Sequence, residues 1–405
     1  MNKKYLPSAL VLYLNYFIHG VGCSILGQAV IKEALAVSWG VEVMAITAIS
    51  AALGLGRLIA LPFAGPLSDK LGRRISVIIG GASYAIYLIG LALAFNVGAS
   101  GGYQIAYICA IIGGIANSFL DTGIYPAVAE VIYKAPGVAT MGIKFFIAIA
   151  QMLLPFFLGV AVTTTAAGMV SYNPLFIVCG IAYIVLLILI FFFPLPDTDQ
   201  SEHGEKKEGL IESLKHTHFS IESIAMILIG FTCTGTFQLW LNCAQNYAKT
   251  VVGWENPSIM QTYYSMGTML ALIVTALLTR KIKDVRFIFV YPVICLVTMI
   301  AVLAVPSQAT CMAGAFLIGW AGAGGLLQIA TAVCNMIFPK IKGTVTALVM
   351  IASSLCNYTI LTAASKMTPS GVMIMNIVLT AIGVALGLFV NLRYEKMIAL
   401  ATEDN

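Results

Sequence analysis

Of the 17 acidic residues, one stands deep inside an apolar run: Asp121, in the stretch "NSFLDTGIYPAVAEV" that begins at Asn117. The others fall in polar stretches or within about two turns of the end of an apolar segment. A carboxylate in such surroundings is costly to keep charged, so it must be paired, hydrated or protonated. A charge that conditional suits a proton carrier; a structural Asp bonded to a neighbouring helix fits the same facts. The Gly-x-x-Pro spacing of Gly123 and Pro126 is expected to loosen the helix and expose backbone. His19 is the one histidine inside an apolar run, with Asn15 a turn before it on the same face. Imidazole titrates near neutral pH, so His19 can relay protons with Asp121, hold a solute, or simply pack.

Amides make up the second group of candidates. Gln238, Asn242 and Gln245 share one face of "TGTFQLWLNCAQNYAK", and Gln328, Thr331 and Asn335 repeat the device further on. Buried amides need partners and often find them across helices, but a polar face on an apolar helix also suits a ligand rich in hydroxyls or amides. Asn117, Gln151 and Asn357 join this set, with Trp240, Trp320 and Tyr263 as stacking surfaces. Arg57, about two turns before Gly65, can snorkel to the interface, pair with Asp121, or hold a substrate carboxylate or phosphate.

The elements that carry these residues must be membrane-spanning helices. A chain that is 60% hydrophobic and 10% charged has too little polar surface to fold in water. Its apolar runs match the roughly 20 residues needed to cross a bilayer, and twelve are legible: 7–33, 41–64, 75–97, 103–132, 138–166, 173–194, 221–249, 257–280, 285–305, 308–337, 344–365 and 370–392. Lys3, Lys4 and the run ending at Cys23 do not form a signal peptide, because the apolar stretch continues past Cys23. The nine cysteines fall in or beside apolar segments and read as packing residues. All Lys and Arg except Lys32, Lys249, Lys366 and Arg57 fall in or beside alternate loops, which places both termini in the cytoplasm. The positive net charge therefore reflects topology, and no nucleic-acid partner is implied.

The polar stretch from Pro194 to Ser220 divides the spans six and six, giving a bundle over 1–194, a cytoplasmic linker over 195–220 and a second bundle over 221–405. His203, His216 and His218 read as part of a solvated linker, since no Cys or carboxylate cluster completes a metal shell. The halves echo each other in the pairs Trp39/Trp254, Gly137/Gly343, Gln151/Asn357 and Asp121/Gln328. Two packed six-helix repeats are the architecture of an alternating-access transporter.

Between the second and third spans lies "GPLSDKLGRR", with Gly65, Leu67, Ser68, Asp69, Lys70, Gly72, Arg73 and Arg74 in a G-x-L-S-D-K-x-G-R-R pattern. It resembles the cytoplasmic signature of the major facilitator superfamily. The weaker copy between helices 8 and 9, "ALLTRKIKDVRF", keeps charges without the glycines. The resemblance implies an all-α membrane protein of two six-helix bundles in which Asp69 faces the N-terminus of the eleventh helix, near Gly343 and Thr344. As a loop it suits a gate: Gly65 and Gly72 permit tight turns, Asp69 complements a helix N-terminus, and Arg73 or Arg74 can pair with Glu130. L-D-T-x-x-x-P around Asp121 is similar to the fourth-helix motif of the fucose/galactose/glucose:proton symporters, which implies a coupling role for Asp121; Tyr125 replaces their usual Asn.

The expected function is secondary active transport, with protons and a small solute as partners, the lipid bilayer of the plasma membrane as surroundings, and a monomeric state. No G-x-x-x-x-G-K-[ST], H-E-x-x-H or Ser/His/Asp set points to an enzyme or a nucleotide-driven pump. The proton gradient takes the place of a cofactor. The fifth span lacks the G-P-x-x-G-G pattern of the superfamily's antiporters, which favours uptake over multidrug efflux. With no cation at mid-membrane, a neutral sugar, polyol or nucleoside leads; an organic anion held by Arg57, and a non-transporting sensor, are the alternatives.

Overall fold

The computed structural model describes residues 3–132, 136–195, 221–337 and 342–403. Among the described residues twelve helices are long and apolar enough to cross a membrane. The linker histidines His203, His216 and His218 lie outside the described residues.

Helix α1 (Leu6–Ser24) ends in a tight turn over Ile25–Gly27. At Gln28 the backbone becomes extended (φ −74°, ψ 126°), and its side-chain amide donates to the Ser24 carbonyl that the ended helix leaves over (3.3 Å). A separate short helix α2 (Ala29–Trp39) follows, stopped by Gly40 at φ +66°. The apolar run 7–33 is therefore not one span.

Helix α3 (Thr47–Leu71) is followed at once by α4 (Arg73–Val97). Only Gly72, at φ +90° and ψ 158°, separates them. The stretch from Gly65 to Arg74 is thus helix with a single break, not a loop. Its charges mark where two helices outlast the apolar layer. Gly65 sits inside α3, where a Cβ would meet nothing within 4 Å, so the turn falls to Gly72 alone.

Helix α5 (Gly102–Val131) is unbroken, contrary to the break expected at Gly123 and Pro126. Gly123 serves instead to bring α4 close, since a Cβ there would come within 2.8 Å of the Val77 side chain. Helix α6 (Pro136–Ala161) leads through a two-stranded hairpin, β1 (Thr163–Thr164) against β2 (Val170–Ser171), to α7 (Asn173–Phe192).

The second set of helices runs α8 (Ile221–Thr250), α9 (Ile259–Leu278), α10 (Asp284–Ala304), α11 (Gln308–Ile318), α12 (Leu326–Ile337), α13 (Lys342–Ala364) and α14 (Pro369–Glu403). A wide π-turn over Gly319–Ala323 joins α11 to α12 within one span. Ser307 and Thr310 form a reciprocal cap at the start of α11, satisfying backbone donors that a helix N-terminus leaves free.

The chain divides into two compact units, Met1–Gly204 with Leu361–Lys366 and Glu205–Ile360 with Met367–Asn405. In the first, the second span (α3) packs on the fourth (α5) and the third (α4) on the sixth (α7). In the second, α9 packs on α11 and α10 on α14, the same pairing of second with fourth and third with sixth. Small residues allow the close approach that association in lipid relies on. A Cβ on Gly56 would strike the Ile111 carbonyl of α5, and a Cβ on Gly267 the Phe316 carbonyl of α11. These two glycines hold corresponding places in the two units.

Candidate functional site

Asp121 projects from α5 between two partners. Its Oδ2 accepts a hydrogen bond from Arg57 Nη2 of α3 at 2.8 Å, and its Oδ1 accepts one from the Tyr16 hydroxyl of α1. Arg57 lies at the midpoint of the 29-residue span Val43–Leu71, because α3 continues well past Gly65. Its guanidinium turns to Asp121 instead of extending toward the interface. Next to Gly56, where α3 and α5 come closest, its reach to Asp121 is short. An unpaired Arg or Asp at the centre of a span costs about 3 kcal/mol to insert, so the pair is what makes both tolerable.

The pair is not sealed. The side chains of Arg57 and Asp121 are 24% and 30% exposed. Arg57 Nε is buried with no partner, and the Arg57 carbonyl accepts from the Ser118 hydroxyl at 3.1 Å.

His19 stands a turn beyond Tyr16 on α1. Its ring contacts Tyr16 edge-on (centroids 5.3 Å apart) and Tyr84 (5.1 Å), and its Nδ1 is buried without a partner. Tyr125, a turn after Asp121, packs edge-on against Tyr16 at 5.6 Å. Lys144 of α6 lies within electrostatic range of Tyr125 and His19. Four helices thus contribute to one cluster: Tyr16 and His19, Arg57, Asp121 and Tyr125, and Lys144.

Three other candidates of this unit stand apart from the ion pair. Asn15 is buried, its amide donating to the Val11 carbonyl (2.8 Å) while its own backbone carbonyl accepts from Tyr183. The residue that shares His19's working face is Tyr16. Gln151 donates to Ser24 Oγ at 2.6 Å and braces α6 to the end of α1. Asn117 lies a turn before Asp121, half-buried, with its Oδ1 unpartnered.

At the junction of α3 and α4, Arg73 joins Asp69 (2.7 Å), Ser68 (3.2 Å) and Glu130 (Nε to Oε1, 3.5 Å). Arg74 instead donates to the Phe193 carbonyl at 3.0 Å. The side chains at Gly343 and Thr344, the expected partners of Asp69, lie outside the described residues.

In the second unit Asn242 donates to both the carbonyl and the side-chain oxygen of Gln238 (2.9 and 3.1 Å), tying the amide face partly to itself. Asn242 and Gln245 are buried, and Gln328 is exposed just after the π-turn. Thr331 donates to the Leu327 carbonyl at 2.8 Å. Asn357 is half-buried with an unpartnered Oδ1; the Asn335 side chain lies outside the described residues. Trp240 is buried against Gly314 and lines two small cavities, and Trp320 packs on Phe316. At the place of Arg57 stands Thr268, donating to the Gly319 carbonyl at 3.1 Å where the π-turn begins.

Sequence reasoning missed Lys144 and Tyr16. Lys144 counts as a cytoplasmic-end cation by its nearness to the start of α6, yet it is a lone cation two turns inside an apolar helix, a signal of the kind that singled out Arg57. Tyr16 is invisible to a search for charge, although its i, i+3 spacing to His19 puts the two on one face. Lys32, read as an outer cation, is fully buried on α2 and donates to Thr47 at 2.7 Å.

The sequence profile of the major facilitator superfamily matches residues 12–358. The chain is 30% identical over 409 residues to the uncharacterized MFS-type transporter YfkL of Bacillus subtilis, covering 98% of this chain and 99% of that protein. It is likewise 30% identical over 402 residues to the inner membrane transport protein YdiM of Escherichia coli, covering 98% and 96%. The fold is similar to that of a solved D-xylose-proton symporter, with a TM-score of 0.74 at 15% identity, over 96% of this chain and 97% of that one. Twelve spans in two units with matching helix pairings, and relatives aligned from end to end, make this chain a member of the major facilitator superfamily of secondary transporters.

Proposed function

We propose that the protein is a proton-coupled importer of a small polar solute, acting as a monomer in the plasma membrane with both termini in the cytoplasm. The observation that carries this is the sharing of one carboxylate between Arg57 and Tyr16 in a partly exposed setting. Protonation of Asp121 removes the charge that holds Arg57. The guanidinium is then free to find another partner, while the Tyr16 hydroxyl can still bond a neutral carboxylic acid. Proton arrival thus changes which contacts α1, α3 and α5 make with one another, a local event of the kind that biases a two-state element. A chain of this fold named as a D-xylose-proton symporter supports the reading.

Arg73, bound to Asp69 and Glu130 at the inner end of α3, α4 and α5, forms the cytoplasmic gate element. Such contacts favour the conformation in which they are made. The expectation of a neutral sugar, polyol or nucleoside depends on there being no cation at mid-membrane. Arg57, already paired with Asp121, keeps an organic anion as the second reading.

The test is solute-driven proton movement in proteoliposomes holding a pH dye. Addition of a transported solute acidifies the lumen for wild type, and Asp121→Asn abolishes the acidification while leaving solute exchange intact. Acidification that survives in Asp121→Asn removes Asp121 from coupling.

A further inference from the structure

Three buried side-chain atoms without a hydrogen-bond partner lie on two helices of the second unit: Asn246 Oδ1 on α8, and Ser354 Oγ and Asn357 Oδ1 on α13. Asn246 and Ser354 are only 3% and 2% exposed, so solvent does not serve them. A buried polar group left unpaired costs stability, and native folds keep few of them unless something else is to fill them. Register sets these atoms on neighbouring ridges. Gly230, Thr234, Gln238, Asn242 and Asn246 recur at every fourth residue of α8, as Val349, Ser353 and Asn357 do on α13. The two ridges meet at two successive rungs. A Cβ on Gly230 would come within 2.7 Å of the Val349 side chain, and Thr234 donates to Ser353 Oγ at 2.8 Å. Contacts that advance together along both helices mean that the helices run parallel, so the next rung sets Gln238 level with Asn357. Ser354 is one turn before Asn357 on the same face. On α8 the ridge continues with Asn242, which donates to Gln238, and reaches the unpaired oxygen of Asn246.

We infer that these two ridges form a solute-reading surface, and that the solute is uncharged and rich in hydroxyl groups, a polyol or a sugar. This rests on the chain being a transporter of a small polar solute, and not on Asp121 carrying a proton. Charge decides the first half of the class. Between Glu222 and Lys249 α8 carries no Asp, Glu, Lys, Arg or His, and α13 carries none after Lys342. A charged ligand on these ridges would find no counter-charge on either helix. Hydrogen-bond polarity decides the second half. The unfilled positions are two amide oxygens and one hydroxyl. An ionised carboxylate only accepts and cannot fill an amide oxygen, whereas a hydroxyl donates to that oxygen and accepts in turn from an amide nitrogen. Asn246, Ser354 and Asn357 are thus specificity residues. The bond between Thr234 and Ser353 fixes the register that presents them.

The experiment measures the melting temperature of the purified full chain in detergent with sorbitol, myo-inositol and glucose, set against the acids gluconate and glucuronate. Probes are kept at low millimolar concentration, below the range in which polyols stabilise by exclusion. A ligand of the native state raises the melting temperature, and a rise is expected with at least one neutral probe and with neither acid. Ser354→Ala and Asn357→Leu weaken that binding about tenfold. Since Ser354 Oγ and Asn357 Oδ1 have no bond to lose, the ligand-free melting temperature of both variants stays at the wild-type value or rises. A bracing role would lower it. A rise with an acid and no neutral probe, or with no probe at all, overturns the inference, and neither readout depends on a variant folding. Neutral binding unchanged in both variants also overturns it, as does a lowered ligand-free melting temperature in both. If an acid drives lumen acidification that Asp121→Asn abolishes and no neutral probe binds, the neutral-solute inference falls and proton coupling stands. If a neutral probe binds through Ser354 and Asn357 without proton movement, coupling falls and the reading surface stands.

Discussion

Gly56 and Gly267 do the same work in the two units, letting a second span come against the backbone of a fourth. The residue after each differs. In the first unit it is Arg57, which crosses to the carboxylate of an unbroken helix. In the second it is Thr268, which donates to the Gly319 carbonyl at the start of the π-turn. One unit therefore holds a fixed charge pair on an unbroken helix. The other holds a neutral hydroxyl on a helix whose ladder is interrupted, with amides in place of acids. The comparison separates two capacities that a transporter needs. A charge pair can be made or broken as a unit, and a π-turn supplies backbone that can deform without burying charge.

The strongest way to break this contrast is to make the first unit as neutral as the second. Asp121→Asn is expected to abolish proton-driven solute accumulation while leaving counterflow within about threefold of wild type, since only the charge is lost. Accumulation at the wild-type level would mean that the charge pair braces the fold and does no coupling. Next in size is Arg57→Ala, which strands Asp121. Allowing for their partial exposure, it should cost about 2 kcal/mol, and Arg57→Ala with Asp121→Asn should recover most of that. Thermal denaturation in detergent measures both; a double variant no more stable than the single one would show that the two side chains do not depend on each other.

A third comparison sharpens the reading of the inner signature. Gly72→Ala forces an alanine to φ +90° and should destabilise by about 1–2 kcal/mol and slow turnover. The smallest effect belongs to Gly65→Ala, a helical position open to space, expected to stabilise by about 0.5–1 kcal/mol with turnover unchanged. Equal turnover defects in the two variants would restore both glycines to the proposed gate.

The helices were legible because a bilayer demands about 20 apolar residues per crossing, a demand strong enough to survive without any knowledge of packing. Their ends were not. Asp69, Lys70, Arg73 and Arg74 look like a loop by charge density, but helix tolerates those residues wherever water is near, and φ at Gly72 alone ends α3. That error cut the second span short at 64, where α3 runs on to Leu71. The pairing of Arg57 with Asp121 was open to sequence reasoning, because two lone charges in neighbouring spans have few other places to go. Lys144 and Tyr16 were not recoverable in the same way. Their significance comes from α1, α5 and α6 converging, which periodicity within one helix does not encode. The break expected at Gly123 was misplaced because a glycine can serve close packing as well as bending, and the sequence does not distinguish the two.

The single residue between α3 and α4 has a mechanical consequence. Two 25-residue rods joined by one residue form a linkage with one joint and no slack. Arg73, the first residue past the joint, is pinned to Asp69 on the near rod and Glu130 on α5, so the joint is locked from both sides. Tilting α3 must then swing α4 like the far arm of a crank, and the motion that carries Arg57 also carries the face of α4 packed on α7.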